Sequence, residues 1–274
     1  MTDPWPIGDL RPEWVPDEVD WHKPSPARVY DVHLGGAHNF AVDRAVAREV
    51  AAVMPELPML LRANRSFLRR AVRHLVRQGI TQFLDLGSGI PTVGNVHDAA
   101  QSMDPACRVV YVDIDPIAVA HSHGLLKGNR NAVAINGDLC DSAAILARLG
   151  DILDFRKPIA VLMVAVLHFV ADEVRPERIV RDYLAATVPG SYLVLSHGTR
   201  PEVTDESVEA ATELYSQSVE RFHLRTAAEI TRLFGDVEMV EPGVVPVALW
   251  RPDDDAESRA GAHLPQWGGV GQMR

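Results

Sequence analysis

The chain has 274 residues, 47% of them hydrophobic, and a formal net charge of −10. That acidity argues against nucleic-acid partners, which need Lys and Arg gathered in a patch that releases counterions. The longest apolar run, residues 159–170, is too short to span a membrane, and the acidic, proline-rich N-terminus lacks the apolar core of a signal peptide.

Cys107 and Cys140 show neither zinc spacing nor a disulfide framework, and both read as small buried hydrophobes in a reducing cytoplasm. No histidine spacing suggests a metal site.

Residues 1–26 hold Pro4, Pro6, Pro12, Pro16, Pro24 and Pro26 beside Trp5, Trp14 and Trp21. This predicts an extended arm whose aromatics dock on the body. In residues 28–44 the polar set Arg28, Tyr30, Asp31, His33, His38, Asn39, Asp43 and Arg44 surrounds Gly35-Gly36. A surface loop can have this composition, but a glycine-jointed polar segment ahead of an α/β core is expected to act as a lid. Helices are predicted at 41–53 and 57–78, the second with Leu60, Leu61, Phe67, Leu68, Val72, Leu75 and Val76 at three- and four-residue intervals. Its basic residues from Arg62 to Arg77 read as a solvated face. Asn64 and Arg65 are placed at its start, as candidates for a ligand carboxylate or for a salt bridge.

Apolar runs at 82–86, 108–113, 132–136, 159–166 and 191–196 then alternate with amphipathic segments, which predicts parallel strands with crossover helices. Asp115-Pro116 reads as an N-cap with proline at N1, and Thr226 to Glu229 as a capping box. Strands at about 236–240 and 244–250 flank Glu241-Pro242-Gly243 and suggest an antiparallel pair. The expected division is an arm and helical cap or lid over 1–79, a cofactor-binding domain over 80–252 and a polar C-terminal tail over 253–274.

The candidate chemistry sits at strand ends. After the first strand, Asp85-Leu86-Gly87-Ser88-Gly89 lets backbone N–H groups approach a ligand. Asp85 would repel a pyrophosphate but suits a cationic ligand, and Thr92 stands where a dinucleotide fingerprint needs Gly or Ala. Both count against an NAD(P) oxidoreductase. The second strand ends Asp113-Ile114-Asp115. Asp115 is accounted for as the cap, so Asp113 is the candidate for two ribose hydroxyls. Asp138-Leu139 follows the third strand, where a carboxylate can accept from an adenine amino group. Each aspartate alone is explained by helix capping; three in succession are not.

This set, together with Val166-Leu167-His168-Phe169 after the fourth strand, resembles the class I S-adenosylmethionine-dependent methyltransferases. The resemblance implies a Rossmann-like, doubly wound, seven-stranded sheet with an antiparallel last strand and an N-terminal helical lid. It implies that Asp85 meets the methionine amino group, Asp113 the ribose and Asp138 the adenine N6. Gly87, Ser88, Gly89, Ile114, Leu139, Ala165, Val166, Asn64 and Tyr30 complete the candidate cofactor site. A narrower resemblance, carried by Ala27 to Asp31, Leu34 to Arg44, Asn64 to Leu68 and Trp250-Arg251-Pro252, is to an actinobacterial S-adenosyl methyltransferase family of largely undefined substrate. The expected function is methyl transfer to a small molecule by a cytoplasmic monomer or homodimer. A non-catalytic S-adenosylmethionine sensor or accessory protein is the alternative. DNA and RNA are disfavoured, because the fourth strand lacks the Asn/Asp-Pro-Pro-aromatic signature of base methylation. His168, His197 and Tyr30 are candidate catalytic groups, although methyl transfer from a sulfonium needs little beyond alignment.

Overall fold

The computed structural model describes residues 20–91, 94–200 and 205–274. Trp5, Trp14 and Thr92 lie outside them. Three helices precede the sheet: α1 (Pro26–His33), α2 (Ala41–Val53) and α3 (Leu57–Arg77). Alternating units follow: β1 (Gln82–Leu86), α4 (Val96–Gln101), β2 (Arg108–Asp113), α5 (Pro116–Leu125), β3 (Ala132–Asn136), α6 (Ser142–Leu149), β4 (Ala160–Val164), α7 (Pro176–Ala185) and β5 (Tyr192–Gly198). The chain ends with α8 (Glu206–Ser218), α9 (Ala227–Arg232), β6 (Glu238–Met239), β7 (Val245–Pro246), α10 (Asp255–Gly261) and β8 (Gln266–Gln272).

The eight-stranded sheet runs β3-β2-β1-β4-β5-β8-β6, with β7 also on β8. Strands β1 to β5 are parallel, and the order reverses between β1 and β4. That switch point opens a crevice at the carboxyl ends of the strands. Strand β8 pairs antiparallel with β5 from Gln266↔Gly198 to Gln272↔Tyr192. Its other edge carries β6 at Met239↔Gly271 and β7 at Val245↔Gly268. Eight strands therefore fill seven ranks, the outermost split in two.

Alternate side chains on each strand feed two apolar layers. Leu84, Leu86, Val110, Val112 and Met163 pack with α6, α7 and α9. Phe83, Val109, Leu162 and Val194 pack on the opposite face with Phe67, Leu68, Ala71, Val72 and Leu75 of α3. Those five residues are at most 2% exposed, so α3 packs as a layer on the sheet. The buried Arg70 ties it to the chain end by donating to Trp250 O at 2.9 Å and Val247 O at 2.7 Å.

Three expectations change. The arm ends in α1, whose Ser25 caps Arg28 N ahead of Pro26. This is the same cap-and-proline signal that opens α5 at Asp115-Pro116. The two strands flanking residues 241–243 do not pair with each other. Each pairs with β8, which lies in the expected tail. Gln266-Trp-Gly-Gly-Val-Gly-Gln lacks an apolar run because its neighbours crowd the strand: a Cβ on Gly271 would lie 2.3 Å from Val237 Cγ2. The capping box at Thr226 is present, with Thr226 N donating to Glu229 Oε2 at 2.8 Å.

Candidate cofactor and acceptor site

The carboxyl ends of β1 to β4 open into a cavity of about 460 Å³. The turn after β1 forms because Gly87 N and Ser88 N both donate to Val112 O, at 2.8 and 3.1 Å. Gly87 sits at φ 68°, and a Cβ there would meet Val166 Cγ2 at 2.2 Å. The loop therefore closes directly against the end of β4. There Ala165 holds a left-handed φ of 57° and donates to Ser196 O and Oγ, each at 3.1 Å. A non-glycine residue in this conformation costs about 1 kcal/mol or more and marks a constrained turn.

Asp113 is held by Gly89 N on Oδ2 at 2.7 Å and by Asp115 N on Oδ1 at 2.9 Å. Burial pushes its carboxyl up to about 6, against the hydrogen bonds from Asp115 and Gly89. Asp85, 4% exposed, goes further: burial raises it to about 7, with Arg65 opposing and Asp113 reinforcing. A buried carboxyl of this kind is ready for a cation. Ile114 and Leu139 line the cavity beside Asp138, and Ile114 is 66% exposed, an apolar side chain offered to a ligand face. Cys140, expected to be buried, is exposed on the same rim; Cys107 is buried.

Asn64 lies in the second turn of α3, not at its start. It is fully engaged: Nδ2 donates to Tyr30 Oη at 3.1 Å, and Oδ1 accepts from Ser196 Oγ at 2.6 Å. Gln266 Nε2 reaches Ser196 Oγ at 3.3 Å. This chain of hydrogen bonds joins α1, α3, β5 and β8 along one wall of the cavity. Tyr30 in turn donates to Leu61 O at 3.3 Å, and the Arg65 guanidinium lies 5.1 Å from its ring centroid. Arg65 Nε is buried without a hydrogen-bond partner among the described residues.

The two histidines divide. His168 lines the cavity, stacked on Phe222 at 4.1 Å, and burial holds it well below the ordinary imidazole value. His197 does not line the cavity, and both its ring nitrogens are engaged, Nδ1 with Gly198 O and Nε2 with Arg225 Nη1, each at 2.7 Å. Both nitrogens therefore brace the turn after β5 against Arg225. Arg225, absent from the sequence reading, also donates to Leu167 O, Val170 O and Asp172 Oδ1 and so fixes the turn after β4.

The segment expected as a lid is folded against the body. Asp31 Oδ2 accepts from His38 N and Asn39 Nδ2, each at 2.9 Å, and Gly36 N donates to Asp31 O. Gly35-Gly36 thus forms a hydrogen-bonded turn ending α1. Helix α1 presents Tyr30, His33 and Leu34 to the cavity. Beyond it the walls become apolar, with Val50, Met54, Leu57 and Leu60 on one side and Val208 and Phe222 on the other.

A parallel sheet with this switch point, antiparallel outer ranks and acidic strand ends around a glycine loop defines a Rossmann-like S-adenosylmethionine-dependent methyltransferase. The sequence model of the S-adenosyl methyltransferase family matches residues 12–274, and the chain belongs to that family. It is similar to a Thermobifida fusca crystal structure assigned to the methyltransferases, at 39% identity and TM-score 0.89 over 96% of this chain and 100% of that one. It is also similar to a DUF574 family protein of Streptomyces avermitilis, at 38% identity and TM-score 0.88 over 93% and 99% of the two chains. No curated protein matches the sequence.

Proposed function

We propose that the protein methylates a small molecule with an apolar body, held between α1, α2, α3 and α8 while S-adenosylmethionine occupies the strand ends. The observation that carries this reading is one cavity that runs from Asp85 and Asp113 to the apolar walls at Met54 and Val208.

In this reading Asp113 takes the ribose hydroxyls, Asp85 pairs with the methionine ammonium, and Arg65 faces the carboxylate. Ile114 and Leu139 bracket the adenine, with Asp138 at its amino group. When bound, the cofactor supplies a methyl group on a sulfonium. The protein's part is then to align the acceptor and exclude water. Val166 against Gly87 fixes one side of that geometry; Tyr30, held by Asn64 and Leu61 O, fixes the other. His168 stays neutral and shapes the pocket.

The test is S-adenosylhomocysteine formation when purified protein is incubated with S-adenosylmethionine and a cell extract fractionated into metabolites, nucleic acid and protein. Turnover is expected with the less polar fractions. Turnover confined to nucleic acid or protein would refute the reading.

A further inference from the structure

Among the polar groups on the acceptor walls, His33 stands apart. It lies on the cavity face of α1, one turn beyond Tyr30, and is 9% exposed. Its Nε2 is buried and has no hydrogen-bond partner among the described residues. A buried imidazole nitrogen left unpaired loses its water without compensation, so such an atom calls for a partner. Burial lowers the His33 pKa, which leaves the ring neutral at neutral pH.

The charges around the cavity narrow what that partner can be. Among the described residues the lining carries Asp31, Asp85, Asp113, Asp115, Asp138 and Glu220 against one cation, Arg65, which faces Asp85; Arg28, outside the lining, pairs with Asp115. An anionic acceptor would meet this acidic field with no further cation among the described lining residues to receive it. A neutral imidazole nitrogen accepts or donates according to its tautomer, and a hydroxyl can answer either.

We infer that His33 is a specificity-determining residue that holds a hydroxyl of an uncharged, otherwise apolar acceptor. The inference rests on the function proposed above and names the substrate class of the same site. It assigns His33 a binding role one helical turn from Tyr30, and no proton transfer.

The experiment measures binding to wild-type protein saturated with S-adenosylhomocysteine, by calorimetry, using 2-naphthol, naphthalene and 2-naphthoate as probes. Naphthol is expected to bind several-fold more tightly than naphthalene, the worth of one hydrogen bond, and naphthoate more weakly than either. His33→Phe, which keeps the ring and removes the nitrogens, is expected to abolish the naphthol advantage and leave naphthalene and S-adenosylhomocysteine affinity unchanged. A naphthol advantage that survives in His33→Phe, or naphthoate binding as tightly as naphthol, overturns the inference. Should the variant fail to fold, the ¹⁵N shift of the wild-type His33 ring decides: it moves on adding naphthol but not naphthalene, and an unmoved ring is contrary. Probe selectivity without turnover on any acceptor would refute the methyl transfer and leave this site standing.

Discussion

Asp115 Oδ2 accepts a 2.6 Å hydrogen bond from Ser25 Oγ, while its Oδ1 caps α5 by accepting from Ile117 N at 2.8 Å. One carboxylate thus closes the first turn of α5 and docks the first turn of α1 from 90 residues away. Arg28 Nη1 lies 3.6 Å from the same oxygen, and Arg28 Nε binds Asp43 at 2.9 Å in full burial.

The neighbouring aspartates therefore separate under mutation. Asp113→Ala is expected to cost roughly 2–4 kcal/mol of cofactor affinity through two lost contacts to a charged acceptor. Asp115→Ala loses the cap and the Ser25 contact, so roughly 2–3 kcal/mol of stability is expected to go. It should also expose residues 25–34 to faster hydrogen exchange. Calorimetry with thermal denaturation checks both; an Asp115→Ala protein of unchanged stability would contradict the docking role.

Cofactor binding is expected to depend on pH through Asp85. Its carboxyl stands at about 7 in the unliganded fold because of burial, so protonation competes with an incoming ammonium group. Affinity should fall by up to tenfold per pH unit below about 7 and level off above it. The sign for stability is opposite. Asp85 and Asp113 bind protons more tightly folded than unfolded. Their contribution is therefore full below the ordinary carboxylate value and is lost as pH rises through about 6 to 7. The cofactor's stabilising effect on melting should consequently be greater at pH 8 than at pH 6. Asp85→Asn should remove the affinity slope, and a slope that persists in that variant would assign it elsewhere.

Deleting residues 265–274 is expected to abolish folding, because β8 pairs along the whole of β5 and carries both β6 and β7. Circular dichroism of the truncated chain checks this; a cooperative melt would contradict it.

The first three parallel strands were legible because each apolar run ends at or beside a residue with a separate chemical reason to be there, Asp85, Asp113 or Asp138; the runs of β4 and β5 were legible from their apolar pattern alone. Strand β8 was not, since its signal is the space its neighbours occupy, and local apolar pattern carries no record of that. For the same reason Gln266 and Ser196, which hold Asn64 in place, were missed. Helix α1 was legible in principle through Ser25-Pro26, but the five prolines upstream masked it. His33 was visible only as one polar residue among many. Its lack of a partner is a property of the folded wall.

The central claim, methyl transfer to an apolar small molecule at the strand ends, is tested most directly with isotopically labelled methyl S-adenosylmethionine and a whole-cell extract, read by mass spectrometry. The account predicts label in an uncharged, poorly polar product, with formation lost in Asp113→Ala at sub-saturating cofactor. Label appearing only in macromolecules, or undiminished product from Asp113→Ala under those conditions, would contradict it.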